Sequence, residues 1–161
     1  MKTLAIIGAG YLQKPLIERA RDMGLRTLCF AWEEGAVCRN LCDVFYPISI
    51  VEKEAILAIC REEKIDGICT IASDVAAPTV AYVAEQLGLA GNSYAAALGA
   101  NNKYLMRQAL SSAGVDCPRY VCVYEYDEKA LEYMSFPLIV KPSDRSGSLA
   151  VSKVENKAQL E

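Results

Sequence analysis

Thr3-Leu4-Ala5-Ile6-Ile7-Gly8-Ala9-Gly10-Tyr11-Leu12-Gln13 is the stretch that decides the fold class. Thr3 to Ile7 is a short, fully apolar run that ends in glycine, the pattern of a buried strand. Leu12, Leu16, Ile17, Ala20 and Met23 then recur at helical spacing. Pro15 falls in the first turns, where proline is tolerated best, and Gly24 closes the helix. A strand that passes through a glycine turn into a helix opens a βαβ rhythm.

The rhythm continues outward from this stretch. Arg26 to Phe30 reads as a second strand, Trp32 to Asn40 as polar and irregular, and Val44 to Ile48 as a short strand. Glu52 to Lys64 is expected to be a helix with Ile56, Leu57, Ile59 and Cys60 inward. Asp66-Gly67 turns into a strand over Ile68 to Ala72, and Val75 to Leu87 is a helix capped by Gly88. Leu89-Ala90 reads as a further short strand. Up to about residue 91 this predicts a mostly parallel α/β sheet with right-handed crossovers. From Asn101 the pattern becomes α+β. It predicts a helix over Lys103 to Ala113, a strand over Tyr120 to Tyr124 and a short helix over Asp127 to Met134, capped by Asp127. A strand at Leu138 to Val140, a polar turn over Ser143 to Ser148, a return strand over Leu149 to Val154 and a helix from Asn156 complete the reading.

The chain has 161 residues, 53% of them hydrophobic, with a formal net charge of -3. A domain of ~150 residues buries roughly 70% of its unfolded surface, so no disulfide staple is required. The acidic balance argues against general nucleic-acid binding. The apolar run Leu4 to Ile7 is far too short for a signal peptide or membrane span. There are seven cysteines and no histidine. The odd count, the absence of a CxxC pair and the apolar settings of Cys29, Cys60 and Cys69 favour reduced thiols in a cytoplasmic protein. Cys38 and Cys42 are spaced to share one helix face, but a structural zinc site needs two more ligands.

Four places could carry chemistry. The Gly8–Gly10 turn permits close approach of a ligand, and the helix behind it favours an anion. It is a poor dinucleotide fingerprint, because Gln13 stands at the third glycine position and the second strand ends without an acidic residue. Ser73-Asp74 follows the strand on the same edge, where both residues could equally cap the next helix. Lys141 ends an apolar strand and precedes a glycine-bearing loop, Ser143 to Ser148. The lysine offers a point charge to phosphate, and the loop amides an anion nest. An ordinary hairpin with a solvated lysine is the alternative. Lys103 sits near a helix N-terminus, a mild misfit with the helix dipole that suggests an external anion.

Two blocks in a fixed order carry a family resemblance. Asn102-Lys103-Tyr104-Leu105-Met106-Arg107, followed by Ala113-Gly114-Val115 and Pro118, is similar to one segment of the ATP-grasp ligases. Phe136-Pro137-Leu138-Ile139-Val140-Lys141-Pro142 with Ser146-Gly147-Ser148 resembles their ATP-binding strand and glycine-rich loop. Upstream, the Gly8 turn, Asp43, Ser73-Asp74 and Gly88 to Ser93 resemble the domain that precedes the ATP-grasp domain. Within that family the likeness is to carbamoyl-phosphate-synthase-like and amino-acid-ligase-like carboxylate–amine ligases.

The resemblance implies a Rossmann-like pre-ATP-grasp domain over 1–98 and a truncated ATP-grasp subdomain over 99–161. It implies ATP and Mg²⁺ as cofactors, and a small-molecule carboxylate, activated as an acyl phosphate, that an amine attacks. Lys103, Lys141, Ser146, Gly147 and Ser148 would contact ATP. Gly8, Gly10, Tyr11, Ser73 and Asp74 would shape the substrate side. Magnesium ligands are expected outside this stretch, so the chain alone is expected to be inactive. It would associate with a further C-terminal segment or form a homo-oligomer. The loop departs from the family in having one glycine, with Ala150 where another is frequent and Arg145 adding a charge. A noncatalytic nucleotide- or small-molecule-binding module, or a Rossmann NAD(P)-dependent oxidoreductase, are the alternatives.

Overall fold

The computed structural model describes residues 1–160, and the chain divides into two compact units, Met1–Leu98 and Gly99–Glu161. In the first, β1 (Thr3–Ile7) leads through a single 3-10 turn to α1 (Lys14–Asp22). Then come β2 (Arg26–Phe30), β3 (Val44–Tyr46), α2 (Lys53–Glu62), β4 (Gly67–Cys69) and α3 (Ala77–Leu87). The four strands form one sheet in the order β3-β2-β1-β4, and every pair is parallel. Strand alternation splits the core into two layers. Ala5, Ile7, Leu28, Phe30 and Ile68 face Ile56, Leu57 and Cys60 of α2 and Val83 and Ala84 of α3. Ile6 and Cys29 face Ile17 and Ala20 of α1 on the other side. Phe30, Ile6, Ile7, Ile17, Leu28 and Ile56 are fully buried. Burial of each such side chain contributes about 1.5–3 kcal/mol.

Polar ties fix the sheet edge. The Asp43 carboxylate accepts from the Thr27 amide at 2.7 Å and from its hydroxyl at 2.8 Å. The Asp43 amide in turn donates to Thr27 Oγ1 at 3.0 Å, which pins β3 in register on β2. Glu63 accepts from Arg26 and from Tyr46, both at 2.6 Å, joining the end of α2 to β2 and β3.

Several sequence expectations need correction. Leu12 and Met23 are 58% and 60% exposed, so the inward stripe of α1 is Ile17 and Ala20, with Leu16 partly buried beside them. β4 ends at Cys69, not Ala72, because Ala72 turns into left-handed backbone at φ 55°. Likewise β3 ends at Tyr46. Leu89-Ala90 is no strand, since the Leu89 amide is used to cap α3 by donating to Ala84 O at 2.8 Å. Residues 32–42 hold only turns, so Cys38 and Cys42 share no helix face. The helix α4 (Tyr94–Asn101) straddles the boundary between the units and was not expected. Its signal was Ser93, whose Oγ accepts from the Ala96 amide at 3.2 Å.

The second unit contains α5 (Lys103–Ser112), α6 (Glu128–Leu131), and the antiparallel hairpin of β5 (Leu138–Val140) and β6 (Ser152–Val154). Asn102 and Asp127 cap the two helices through their side chains. Tyr120 to Tyr124 alternates as a strand should, yet it forms none, because β5 and β6 pair only with each other. Val121, Val123 and Tyr124 are exposed. The return strand starts at Ser152 rather than Leu149, and Asn156 precedes one 3-10 turn rather than a longer helix. Between the strands, Gly147, Ser148 and Ala150 all have positive φ, of 64°, 58° and 54°. Left-handed backbone costs a residue with a Cβ on the order of 1 kcal/mol. Ala150→Gly is therefore expected to raise the unfolding free energy by about 0.5–1 kcal/mol, read as a higher urea midpoint. A lowered midpoint would count against stored strain at this position.

Candidate functional site

In the first unit the chain order reverses at β1. The chain runs from β1 out to β2 and β3, then returns to place β4 on the other side of β1. Open parallel sheets bind ligands at such a switch point, beyond the carboxyl ends of the strands. The sequence-derived residues lie there: Gly8, Gly10 and Tyr11 after β1, and Ser73 and Asp74 after β4. Gly8 has φ 110°, a conformation that L side chains rarely adopt. Its amide donates to Phe30 O at 2.8 Å. The Gly10 amide donates to Gln13 Oε1 at 3.0 Å, and Gln13 Nε2 donates to Ile71 O at 2.6 Å. Gln13 is only 7% exposed. A single side-chain amide thus bridges the turns after β1 and β4.

This geometry alters the anion reading. Both glycine amides are already committed within the protein, and the Gln13 side chain lies 3.0–3.1 Å from where a Cβ on Gly8 would stand. The oxidoreductase alternative loses its binding turn. What the edge does present is Tyr11, 76% exposed, with Ser73 half-buried and Asp74 exposed. Ser73 begins a 3-10 turn over Asp74–Ala76 but makes no side-chain capping bond; the Ala76 amide donates instead to its carbonyl at 3.2 Å. On the far side of the turn, the Cys38 amide donates to Ala9 O at 2.9 Å and its thiol to Gly10 O at 3.3 Å.

In the second unit the two motif blocks meet. Asn102 Oδ1 accepts from the Tyr104 and Leu105 amides, at 3.0 and 3.1 Å, and so places Lys103 as the first residue of α5. The Lys103 amide donates to Ser143 O at 2.8 Å, and its ammonium donates to Arg145 O. Lys103 therefore has a partner inside the chain, the loop carbonyl, which accounts for its place at a helix N-terminus without an external anion. Lys141 is exposed at the end of β5, as are Ser146, Gly147 and Ser148. A hollow of about 420 Å³ elsewhere in this unit is lined by Cys117, Pro118, Tyr120, Tyr133 and Met134 among others, and by neither lysine. Among the described residues, no group of three or more His, Cys, Asp or Glu side chains could hold a metal ion. Among them too, no helix is long and apolar enough to cross a membrane.

A parallel α/β unit followed by a lysine-ended hairpin tied to a lysine-started helix defines a recognisable class. Residues 100–161 match the ATP-grasp domain family. Over nearly its whole length the chain is similar to part of several ligases and synthetases. It is 26% identical over 179 residues to the carbamoyl phosphate synthase large chain of Campylobacter jejuni, covering 97% of this chain and 16% of that one. It is similar to the L-amino acid ligase of Bacillus licheniformis, with 26% identity and a TM-score of 0.78, covering 99% of this chain and 40% of that one. The N5-carboxyaminoimidazole synthetase of Staphylococcus aureus, solved with ADP, shares the fold at a TM-score of 0.82 and 23% identity, over 99% of this chain and 43% of that one. The chain thus spans less than half the length of each of these proteins.

Proposed function

We propose that this chain supplies the substrate-facing unit and the opening of the ATP-binding unit of a carboxylate–amine ligase, one that uses ATP to activate a small carboxylate as an acyl phosphate for attack by an amine. The observation that carries the reading is the tie between Lys103 and the loop that follows Lys141. It joins positions 42 residues apart in sequence and gathers two lysines around one glycine-bearing turn. Phosphoryl transfer is catalysed mainly by positioning and charge stabilisation, and two lysines beside a turn of free-standing amides suit that task.

In this reading Lys103 and Lys141 face the ATP phosphates, and Ser146, Gly147 and Ser148 close over them. Gly8, Gly10, Tyr11, Ser73 and Asp74 shape the carboxylate and amine side. The two glycines act there by letting backbone and Gln13 approach closely, while Tyr11 and Asp74 present the exposed groups. Magnesium neutralises developing charge in such reactions. Residues 1–160 gather no carboxylate set for it, and ligation by these residues alone is not expected. Retained nucleotide binding without turnover would equally fit a noncatalytic binding module, so substrate-dependent ADP release must be measured in the presence of the rest of an ATP-grasp domain.

The direct test is a titration of the isotopically labelled chain with millimolar ATP, followed by amide NMR. Shifts are expected at Lys103, Lys141 and Ser146 to Ser148, with several-fold weaker saturation in Lys141→Ala. Shifts confined to the Gly8–Gly10 turn, or none at all, would overturn the nucleotide assignment.

A further inference from the structure

The hollow of about 420 Å³ in the second unit has the size of a small-molecule site, which is typically about 300–1,000 Å³. One wall is the segment that follows α5, with Arg119, Tyr120 and Val121. The other is the chain just past α6, with Tyr133 and Met134. The two walls are tied together, because Arg119 Nη1 donates to Tyr133 O at 3.3 Å. The first wall is also fastened to α5. Arg107 Nη1 donates to Pro118 O at 3.4 Å, and the guanidinium carbon of Arg107 lies over the Tyr120 ring, 5.7 Å from its centre. Tyr104 meets the same ring edge-on, with centres 5.8 Å apart. The hollow is therefore built on a helix and not on a free loop.

Its lining is mostly apolar and carries a single charge. Tyr133 is 77% exposed and Val121 is exposed too, so large apolar groups stand in water at this place. No acidic side chain lines the hollow. Among the described residues Arg119 enters no ion pair, and its bond to Tyr133 O uses one of its several N–H donors. From this arrangement we infer that the hollow binds a small organic carboxylate that carries an aromatic ring.

Charge complementarity selects this occupant. A guanidinium without a counter-ion matches a carboxylate in paired N–H···O bonds. The tyrosine rings suit a flat apolar group in stacked or edge-on contact, and the Met134 thioether suits the edge of a ring. An amine of the same shape would meet Arg119 as a like charge, and a neutral amide would lose the charge-assisted bonds. Neither Lys103 nor Lys141 lines the hollow, so the inference does not rest on the nucleotide reading.

The test titrates the isotopically labelled 161-residue chain with phenylacetate, up to about 10 mM, and follows its amides by NMR. Saturable shifts are expected at Arg119, Tyr120, Val121, Tyr133 and Met134. Phenylacetamide and benzylamine should bind about tenfold more weakly or worse, the loss that follows from giving up hydrogen bonds to a charged group. Arg119→Met keeps an apolar stem and removes the charge. It should weaken phenylacetate about tenfold and leave phenylacetamide unchanged, which a merely structural role for Arg119 would not do. Lys141→Ala should alter neither. Alkylation gives a second readout. Cys117 lines the hollow and falls in the tryptic peptide Gln108–Arg119, apart from Cys122 in Tyr120–Lys129. Phenylacetate should slow iodoacetamide several-fold at Cys117 and not at Cys122. Shifts centred on Lys103 and Lys141, equal affinity for phenylacetate and benzylamine, or no saturable shift would each overturn the inference. So would a hollow filled by a second copy of the chain, seen as shifts of the same amides with protein concentration and no probe.

Discussion

Gly8→Ala is expected to destabilise the first unit by ~2–4 kcal/mol, through backbone strain and lost hydrogen bonds together. At φ 110° the new residue would be strained wherever space allowed it. Space does not allow it either: an added Cβ would lie 3.0 Å from Gln13 Cδ and 3.1 Å from Cγ and Oε1. Gln13 cannot swing aside freely, because its amide is held by Gly10 and Ile71. Relieving the clash means giving up those bonds, worth about 1 kcal/mol each. In a unit of this size the change should lower the thermal midpoint by roughly 10–25 °C. The Gly8→Ala/Gln13→Ala double variant separates the causes. If the clash dominates, the pair should cost clearly less than the sum of the single changes. A midpoint for Gly8→Ala close to that of the parent would sink this account of the turn.

Asp43→Ala should be the second large loss, about 1–3 kcal/mol at neutral pH, since it strips the acceptor from a buried amide. Thr27 is fully buried, and its amide and hydroxyl both donate to this carboxylate. Those donations, the amide first, hold the Asp43 carboxyl below its ordinary value. A carboxyl depressed in the folded state adds stability above its unfolded pKa of ~3.9 and loses it as pH falls through the lower, folded value. The advantage of the native chain over Asp43→Asn should therefore be full at pH 6 to 7 and shrink below about pH 4. Urea melts across that range decide the matter. An advantage that stays constant into strong acid would show that the charge contributes nothing.

The sheet was legible because each strand is short, apolar and closed by a turn residue, and burial on both faces leaves no other use for such runs. The ends of the elements were not. Ala72 and Leu89 look like strand continuations, and only the backbone geometry of one and the capping duty of the other remove them. Tyr120 to Tyr124 shows the limit from another side, since alternation marks a strand only when a neighbour exists to pair with it. The motif blocks at Lys103 and Lys141 could be read from residue types and order, but their meeting through Ser143 and Arg145 is a tertiary fact. Gln13 was read as a flaw in a fingerprint; its role as a bridge needs the position of Ile71, 58 residues away.

The bond from the Lys103 ammonium to the Arg145 carbonyl sets up a competition. A phosphate that takes the Lys103 N–H now given to that carbonyl displaces it, and its measured affinity is then the intrinsic one reduced by the fraction of molecules in which the lysine is released. By reciprocity, an arriving anion that captures the lysine shifts the Ser143–Ser148 turn toward its untethered population, and whatever holds that turn down weakens the anion by the same factor. A rise in nucleotide affinity could then come from loosening the turn, with no new contact to the nucleotide at all.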